Sequence, residues 1–198
     1  MTGRIVLVRH AAIERGWSGR WVGGGTDIAA DPVALATLGP RLADRAQRDP
    51  PDRVISSPLR RARETAALLR CAVEIDPRLA ERHFGEWEGR SIDDCLRAVA
   101  PEFLASTERW LDLPIPGAEV PGEVAARVSE FATELASHPA RLVWCVAHAG
   151  TIRLIIAAAR GISLADAFQI PIPHGEPIEL DVSQAARQRG DGPMEASR

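Results

Sequence analysis

Hydrophobic positions along the chain fall in short blocks that end abruptly in polar or small residues, and three of these blocks share one design. Residues 4–9, "RIVLVR", read as a short strand, continuously apolar at its centre and of the kind buried on both faces of a parallel sheet. "DRVISSPLRRARETAALLR", 52–70, repeats the theme. A strand runs through Val54 and Ile55, Ser57 is placed as an N-cap, Pro58 takes the first helical position, and a helix continues to about Arg70. "RLVWCVAHAGTIRLIIAAARG", 141–161, gives a third copy, with a strand over 142–147, a small-residue turn at Ala149 and Gly150, a helix, and Gly161 as its stop.

Further helices are expected over 33–48, interrupted by Gly39-Pro40, over 91–99 behind a Ser91/Asp94 capping box, and over 122–137. In the last, Val124, Val128, Phe131 and Leu135 recur at helical spacing and form one apolar stripe, the signature of a core face. "VEI", 73–75, and "EPIELDV", 176–182, are short strand candidates. The polar, Gly/Pro-punctuated segment 183–198 is expected to be disordered or loosely packed. Strands alternating with helices predict an α/β fold with a mostly parallel sheet. Ligands of such folds bind in the crevice outside the carboxyl ends of the strands.

That crevice collects chemistry. Arg9 and His10 stand at the end of the first strand, Arg61 in the first turn after the second, and His148 at the end of the third. Arginine forks onto phosphate oxygens, and helix N-termini add unpaired N–H groups. A neutral imidazole among cations can attack phosphorus, because the surrounding charge offsets what builds up on the phosphoryl oxygens. A departing alkoxide then needs a proton, and "RLAERHFGEWEG", 78–89, offers Glu81, Glu86 and Glu88 as carboxylic acids; residue type alone does not choose among them.

Bulk properties narrow the partners. With 198 residues, 45% hydrophobic and 26% charged, the chain has the composition of one globular domain, expected to occupy 1–182. A net charge of −3 makes a broad nucleic-acid surface an unsuitable reading, so affinity for phosphate must come from a local cluster of cations. Cys71, Cys95 and Cys145 lack paired or C-x-x-C spacing. No stretch approaches a membrane span, "IVLV" is too short for a signal peptide's apolar region, and a reducing cytoplasm is the default. Neither H-E-x-x-H nor paired Asp ligands occur, and "GGG", 23–25, lacks the ending of a P-loop.

In order along the chain, "LVRH", "SSPLRRARETA", "ERHFGEWEGRS", "IPGAE" and "AHAGTIR" resemble the signature segments of the histidine phosphatase superfamily, the phosphoglycerate-mutase-like clan. The resemblance implies a three-layer α/β sandwich with a small helical cap inserted at about 90–120. It implies His10 as the phosphorylated nucleophile, Arg9, Arg61, His148 and Ala149 around the phosphate, Glu81 as proton donor, and no metal or organic cofactor. The substrate would be a small phosphorylated metabolite. A homodimer stays open.

Departures follow the nucleophile. The usual glycine is Ala11, the common Glu-Thr is Ala12-Ile13, a phosphate-holding Asn corresponds to Gly16, and a polar loop residue to Val22. Two hydrogen bonds to phosphate, each worth about 1.5–3 kcal/mol, are therefore expected to be missing, with turnover lowered accordingly. "GWSGRWVGGGTD", 16–27, resembles a loop of short bacterial members similar to alpha-ribazole phosphatase, an enzyme of cobalamin biosynthesis, and makes Arg20, Trp21 and Val22 candidates for substrate specificity. Two alternatives stand beside the phosphatase: a catalytically weak protein that binds a phosphometabolite, and a phosphoglycerate mutase. The mutase fits less well, because 92–114 is short and richer in acids than bases. His83 and His174 lie near matched segments and are assigned structural roles.

Overall fold

The computed structural model describes residues 3–99, 113–137 and 140–181. Five strands form one sheet: β1 (Arg4–Arg9), β2 (Arg53–Ser56), β3 (Val73–Ile75), β4 (Leu142–Ala147) and β5 (Pro177–Asp181), in the order β3-β2-β4-β1-β5. The first four are mutually parallel, and β5 closes the β1 edge in antiparallel sense. Six α-helices accompany them among the described residues: α1 (Pro32–Arg48), α2 (Arg60–Ala66), α3 (Ile92–Arg97), α4 (Pro121–Ser137), α5 (Ala149–Arg160) and α6 (Leu164–Phe168).

The unbroken apolar runs are explained by burial on both faces. Ile5, Leu7, Ile55, Val143 and Cys145 pack in one cluster with Val124, Val128, Phe131 and Leu135 of α4 and with Ile152, Ile155 and Ile156 of α5. Their neighbours in sequence, Val6, Val8, Val54, Trp144 and Val146, pack in a second cluster with Leu38, Leu42 and Ala46 of α1 and Ala62 and Ala66 of α2. Successive side chains of a strand point to opposite faces, so a sheet covered by helices on both sides requires apolar residues at every position. Three layers result.

Three expectations about elements need correction. First, α1 is continuous through Gly39 and Pro40. Pro40 removes one helical hydrogen bond, at a cost of about 3 kcal/mol, but Leu38, Leu42, Ala43 and Ala46 are buried along the same helix and hold it to the sheet. Second, α2 starts at Arg60 behind Leu59, not at Pro58 behind Ser57. The Ser57 hydroxyl still accepts from the Leu59 N–H, at 3.2 Å, but it does so in the turn before the helix. Third, α6 adds a helix to those expected from the sequence. Its signal is Ser163, whose hydroxyl accepts from the Asp166 N–H, in a stretch too short for a visible stripe. The segment 183–198 and much of the expected cap at 90–120 lie outside the described residues, apart from α3 and the chain around Ile115–Val120.

Register decides where the chemistry goes. Arg9 pairs with Ala147, and Ser56 pairs with Val146, so β1, β2 and β4 all stop at one edge of the sheet. The next residues continue the alignment: the His10 N–H donates to Ala147 O at 3.0 Å and the Ser57 N–H to Val146 O at 3.0 Å.

Candidate active site

Two imidazoles meet at that edge. The His10 and His148 ring centroids are 5.1 Å apart, and both rings are buried. His10 Nδ1 lies 2.7 Å from the Ala11 carbonyl oxygen, which can only accept, so Nδ1 carries the ring proton and Nε2 keeps its lone pair. His148 Nε2 lies 2.8 Å from the Ser57 hydroxyl. Its other nitrogen, Nδ1, is buried with no hydrogen-bond partner among the described residues.

Arg61 in the first turn of α2 is only 1% exposed, yet it faces no single acid. Its two terminal nitrogens donate to the carbonyls of Thr26, at 2.9 Å, and Gly23, at 3.1 Å. Arg9 donates from Nη1 to Ile172 O at 2.9 Å, and its buried Nε has no partner among the described residues. Both guanidiniums therefore keep their charge facing the imidazoles rather than spending it in an ion pair. Ala149 is the first residue of α5, so the N-terminal end of that helix abuts His148.

The three glutamates separate by environment. Glu88 accepts from the N–H groups of Gly23, Gly25 and Phe84, at 3.0, 2.9 and 2.9 Å, and from the Thr26 hydroxyl. Burial raises its pKa, but these donors outweigh burial and hold it below the usual carboxylate range. Glu88 is thus a staple for the 23–26 loop whose carbonyls hold Arg61. Glu86 is exposed. Glu81 accepts from the Gly150 N–H, at 3.1 Å, two residues past His148, and its charge acts on both Arg9 and Arg61. Of the three, Glu81 alone bonds the backbone beside His148 and acts on both arginines, with a carboxylate that accepts from only one further N–H, that of Arg82 at 3.2 Å.

A model of the histidine phosphatase superfamily (branch 1) matches residues 5–188. The chain belongs to that superfamily. A protein of Hydrogenobacter thermophilus named "Putative phosphoserine phosphatase 2" is 32% identical over 182 residues, 89% of this chain and 88% of its own. The adenosylcobalamin/alpha-ribazole phosphatase of Salmonella typhimurium is 27% identical over 188 residues, 91% of each chain. A solved complex of mycobacterial glucosyl-3-phosphoglycerate phosphatase with inorganic phosphate superposes with a TM-score of 0.74 at 27% identity, covering 90% of this chain and 89% of that one.

Within this histidine phosphatase the departures from the usual pattern have visible places. Ala11 is fully buried and its N–H donates to the Thr65 hydroxyl at 2.9 Å, while that hydroxyl donates to Arg61 O at 2.7 Å; Thr65 thus joins α2 to the chain just after His10. Ala12 and Ile13 line a second cavity with Arg15 and His174. Gly16 is exposed, with open space where a side chain would begin, and Val22 is half-buried. Trp21 is buried against Phe84, at 4.8 Å, and Trp87, at 5.2 Å, which makes it an anchor between two loops. Arg20 is exposed and donates to Gly89 O at 2.8 Å.

One residue stands closer to the site than its sequence context suggested. His174 Nδ1 lies 2.9 Å from the His10 carbonyl oxygen and therefore donates to it, and the two rings are 5.1 Å apart. The Gly175 N–H donates to Arg9 O at 2.9 Å. Beyond the last β1–β5 pair, a side chain and a loop thus continue the ladder and fix the backbone of His10. His83, by contrast, is exposed, and its Nδ1 accepts from the Gly85 N–H at 2.9 Å.

Burial, then the charge of Arg61, and then those of His174 and Arg9 push the His10 pKa well below its ordinary 6.5, against the opposing pull of the Ala11 carbonyl. His148 is pushed well below 6.5 by burial first, then Arg61 and His10. The consequence for stability has a definite sign. As pH falls through 6.5 the unfolded chain takes up protons at both positions and the folded chain does not, so stability is complete above that pH and declines below it. Each histidine contributes a slope of up to about 1.4 kcal/mol per pH unit in that window. Urea melts between pH 7.5 and 5 should show this decline, and His148→Gln should flatten it. A second expectation concerns Glu88→Ala, which strands four donors and loosens the carbonyls that hold Arg61. A loss of about 2 kcal/mol or more in urea unfolding is expected, with a parallel fall in activity, and Glu88→Gln should recover part of both.

Proposed function

We propose that the protein is a phosphomonoesterase that works through a phosphohistidine at His10. The reading rests on one observation above all: His10 presents an unprotonated Nε2 beside a second imidazole, 5.1 Å away, with a buried Arg61 and a half-buried Arg9 committed to carbonyls instead of acids. Nε2 attacks phosphorus as the bond to the ester oxygen breaks. Arg9, Arg61, the free His148 Nδ1 and the α5 N-terminus at Ala149 offset the charge on the phosphoryl oxygens. Glu81, protonated, gives its proton to the departing alkoxide. Water then attacks phosphorus, Glu81 takes the water proton, the P–N bond breaks, and inorganic phosphate leaves with His10 neutral again. All the positive charge in this scheme comes from the two arginines, the imidazole N–H and the helix N-terminus, and the scheme calls on no metal.

The substrate class is a small phosphorylated metabolite, with alpha-ribazole phosphate one candidate among several. Three free thiols, two of them buried, suit a reducing compartment, and the cytoplasm is the proposed working place. Phosphate release from p-nitrophenyl phosphate tests the reading. Release with a rapid burst of one p-nitrophenol per chain, unaffected by a chelator and absent in His10→Ala, supports it. Binding of phosphate esters without His10-dependent release would instead favour the weak binding protein, which the altered 11–22 loop keeps in view.

A further inference from the structure

A cavity of about 460 Å³ opens beside Glu81, within the size range of small-molecule sites. Phe84, Pro121, Val124, Leu154, Leu164 and Phe168 make its walls largely apolar, and Arg153 adds a guanidinium. Arg153 donates from Nε to Ile170 O at 3.1 Å, and its guanidinium carbon lies 5.3 Å from the centre of the Phe168 ring. Its terminal nitrogens have no hydrogen-bond partner among the described residues. We propose that this chamber receives the alcohol half of the substrate, and that this alcohol carries a bulky, largely apolar ring system lying against Arg153. The proposal rests on the phosphomonoesterase reading and deepens it.

Glu81 connects the two. Its carboxylate reaches the ester oxygen in the proposed reaction and also forms part of the chamber wall, so whatever is attached to that oxygen lies at the chamber mouth. A small charged alcohol, such as that of phosphoserine or phosphoglycerate, would meet the Arg153 guanidinium alone and would leave the Phe84, Val124, Leu154 and Phe168 walls uncovered. A flat apolar ring gains from the same walls by leaving water. Guanidinium groups are attracted to ring faces, and Arg153 already lies over the Phe168 ring, 5.3 Å from its centre. The second arginine of the wall, Arg82, is tied by its Nε to Glu119 O at 3.0 Å.

Gly122 supplies the test. It lines the chamber, and a Cβ added there would meet no atom within 4 Å, so the side chain of Gly122→Phe starts in open space at the chamber wall. Two alkyl esters with nearly equal leaving groups, 2-(1-naphthyl)ethyl phosphate and ethyl phosphate, are compared on the native protein and this variant. The native protein should prefer the naphthyl ester by about tenfold or more in kcat/KM, mostly through KM. Gly122→Phe should abolish that preference and leave ethyl phosphate within about twofold of native. Leu164→Asn, at an exposed part of the wall, should reduce the preference too and carries the test should Gly122→Phe fail to fold. Equal kcat/KM for the two esters, a preference for phosphoserine over the naphthyl ester, or a naphthyl preference untouched by both variants overturns the proposal. His10-dependent release without preference defeats this inference alone; no His10-dependent release from either ester defeats the phosphomonoesterase reading beneath it.

Discussion

Replacing His10 by alanine should lower kcat for aryl phosphates by about 10⁴-fold or more, while the protein stays folded. The two neighbouring imidazoles do not replace the lost nitrogen, although each ring centroid is 5.1 Å from that of His10. His148 Nε2 is engaged with Ser57, and His174 is held through Nδ1 to the backbone carbonyl of residue 10, so neither ring moves to the place of His10 Nε2. Phosphate affinity should fall far less, because Arg9, Arg61 and His148 remain. Isothermal titration with inorganic phosphate, alongside phosphate-release assays, separates the two effects. Stability should rise slightly at pH 5 relative to native, since one buried imidazole that resists protonation is gone.

Glu81→Gln should show a loss that depends on the leaving group. For alkyl phosphates, whose alkoxides depart poorly without a proton, a fall of about 10²- to 10⁴-fold is expected. For p-nitrophenyl phosphate, whose phenolate needs little protonation, the fall in the first step should be slight. A plot of log kcat/KM against leaving-group pKa is the measurement, and its slope should steepen in the variant. The amide keeps an oxygen able to accept from the Gly150 N–H and gives up only the longer bond from the Arg82 N–H, at 3.2 Å, so a structural collapse is not expected to imitate the result. Parallel lines for native and variant would remove Glu81 from the proton-transfer role.

Much of this arrangement is legible in the sequence because the relevant signals are local. A six-residue apolar run covered on both faces gives β4 its limits at Leu142 and Ala147, and a stripe at Val124, Val128, Phe131 and Leu135 gives α4 its buried side. The ends of three such strands carry Arg9-His10, Ser57 and His148, and a parallel sheet brings strand ends together without further information. What depends on tertiary packing is not legible. Pro40 should stop a helix, and only the burial of α1 against the sheet shows why it does not. Trp21 reads equally well as a substrate contact or an anchor until Phe84 and Trp87 are found against its ring. Glu88 and Glu81 are equivalent by type, and their difference lies in how many N–H groups the 23–26 loop aims at one of them. His174 sits between Pro173 and Gly175 in a stretch without periodicity, so its bond to the His10 carbonyl has no signature along the chain.

Where the phosphoryl group goes during turnover tests the account most directly. The native protein is mixed with a ³²P-labelled phosphate ester, quenched in alkali within milliseconds, and digested for peptide mapping. Label stable to alkali, labile to acid and confined to the peptide containing His10 is the expected result. Label on another residue, or steady phosphate release with no labelled peptide at any time point, would contradict it.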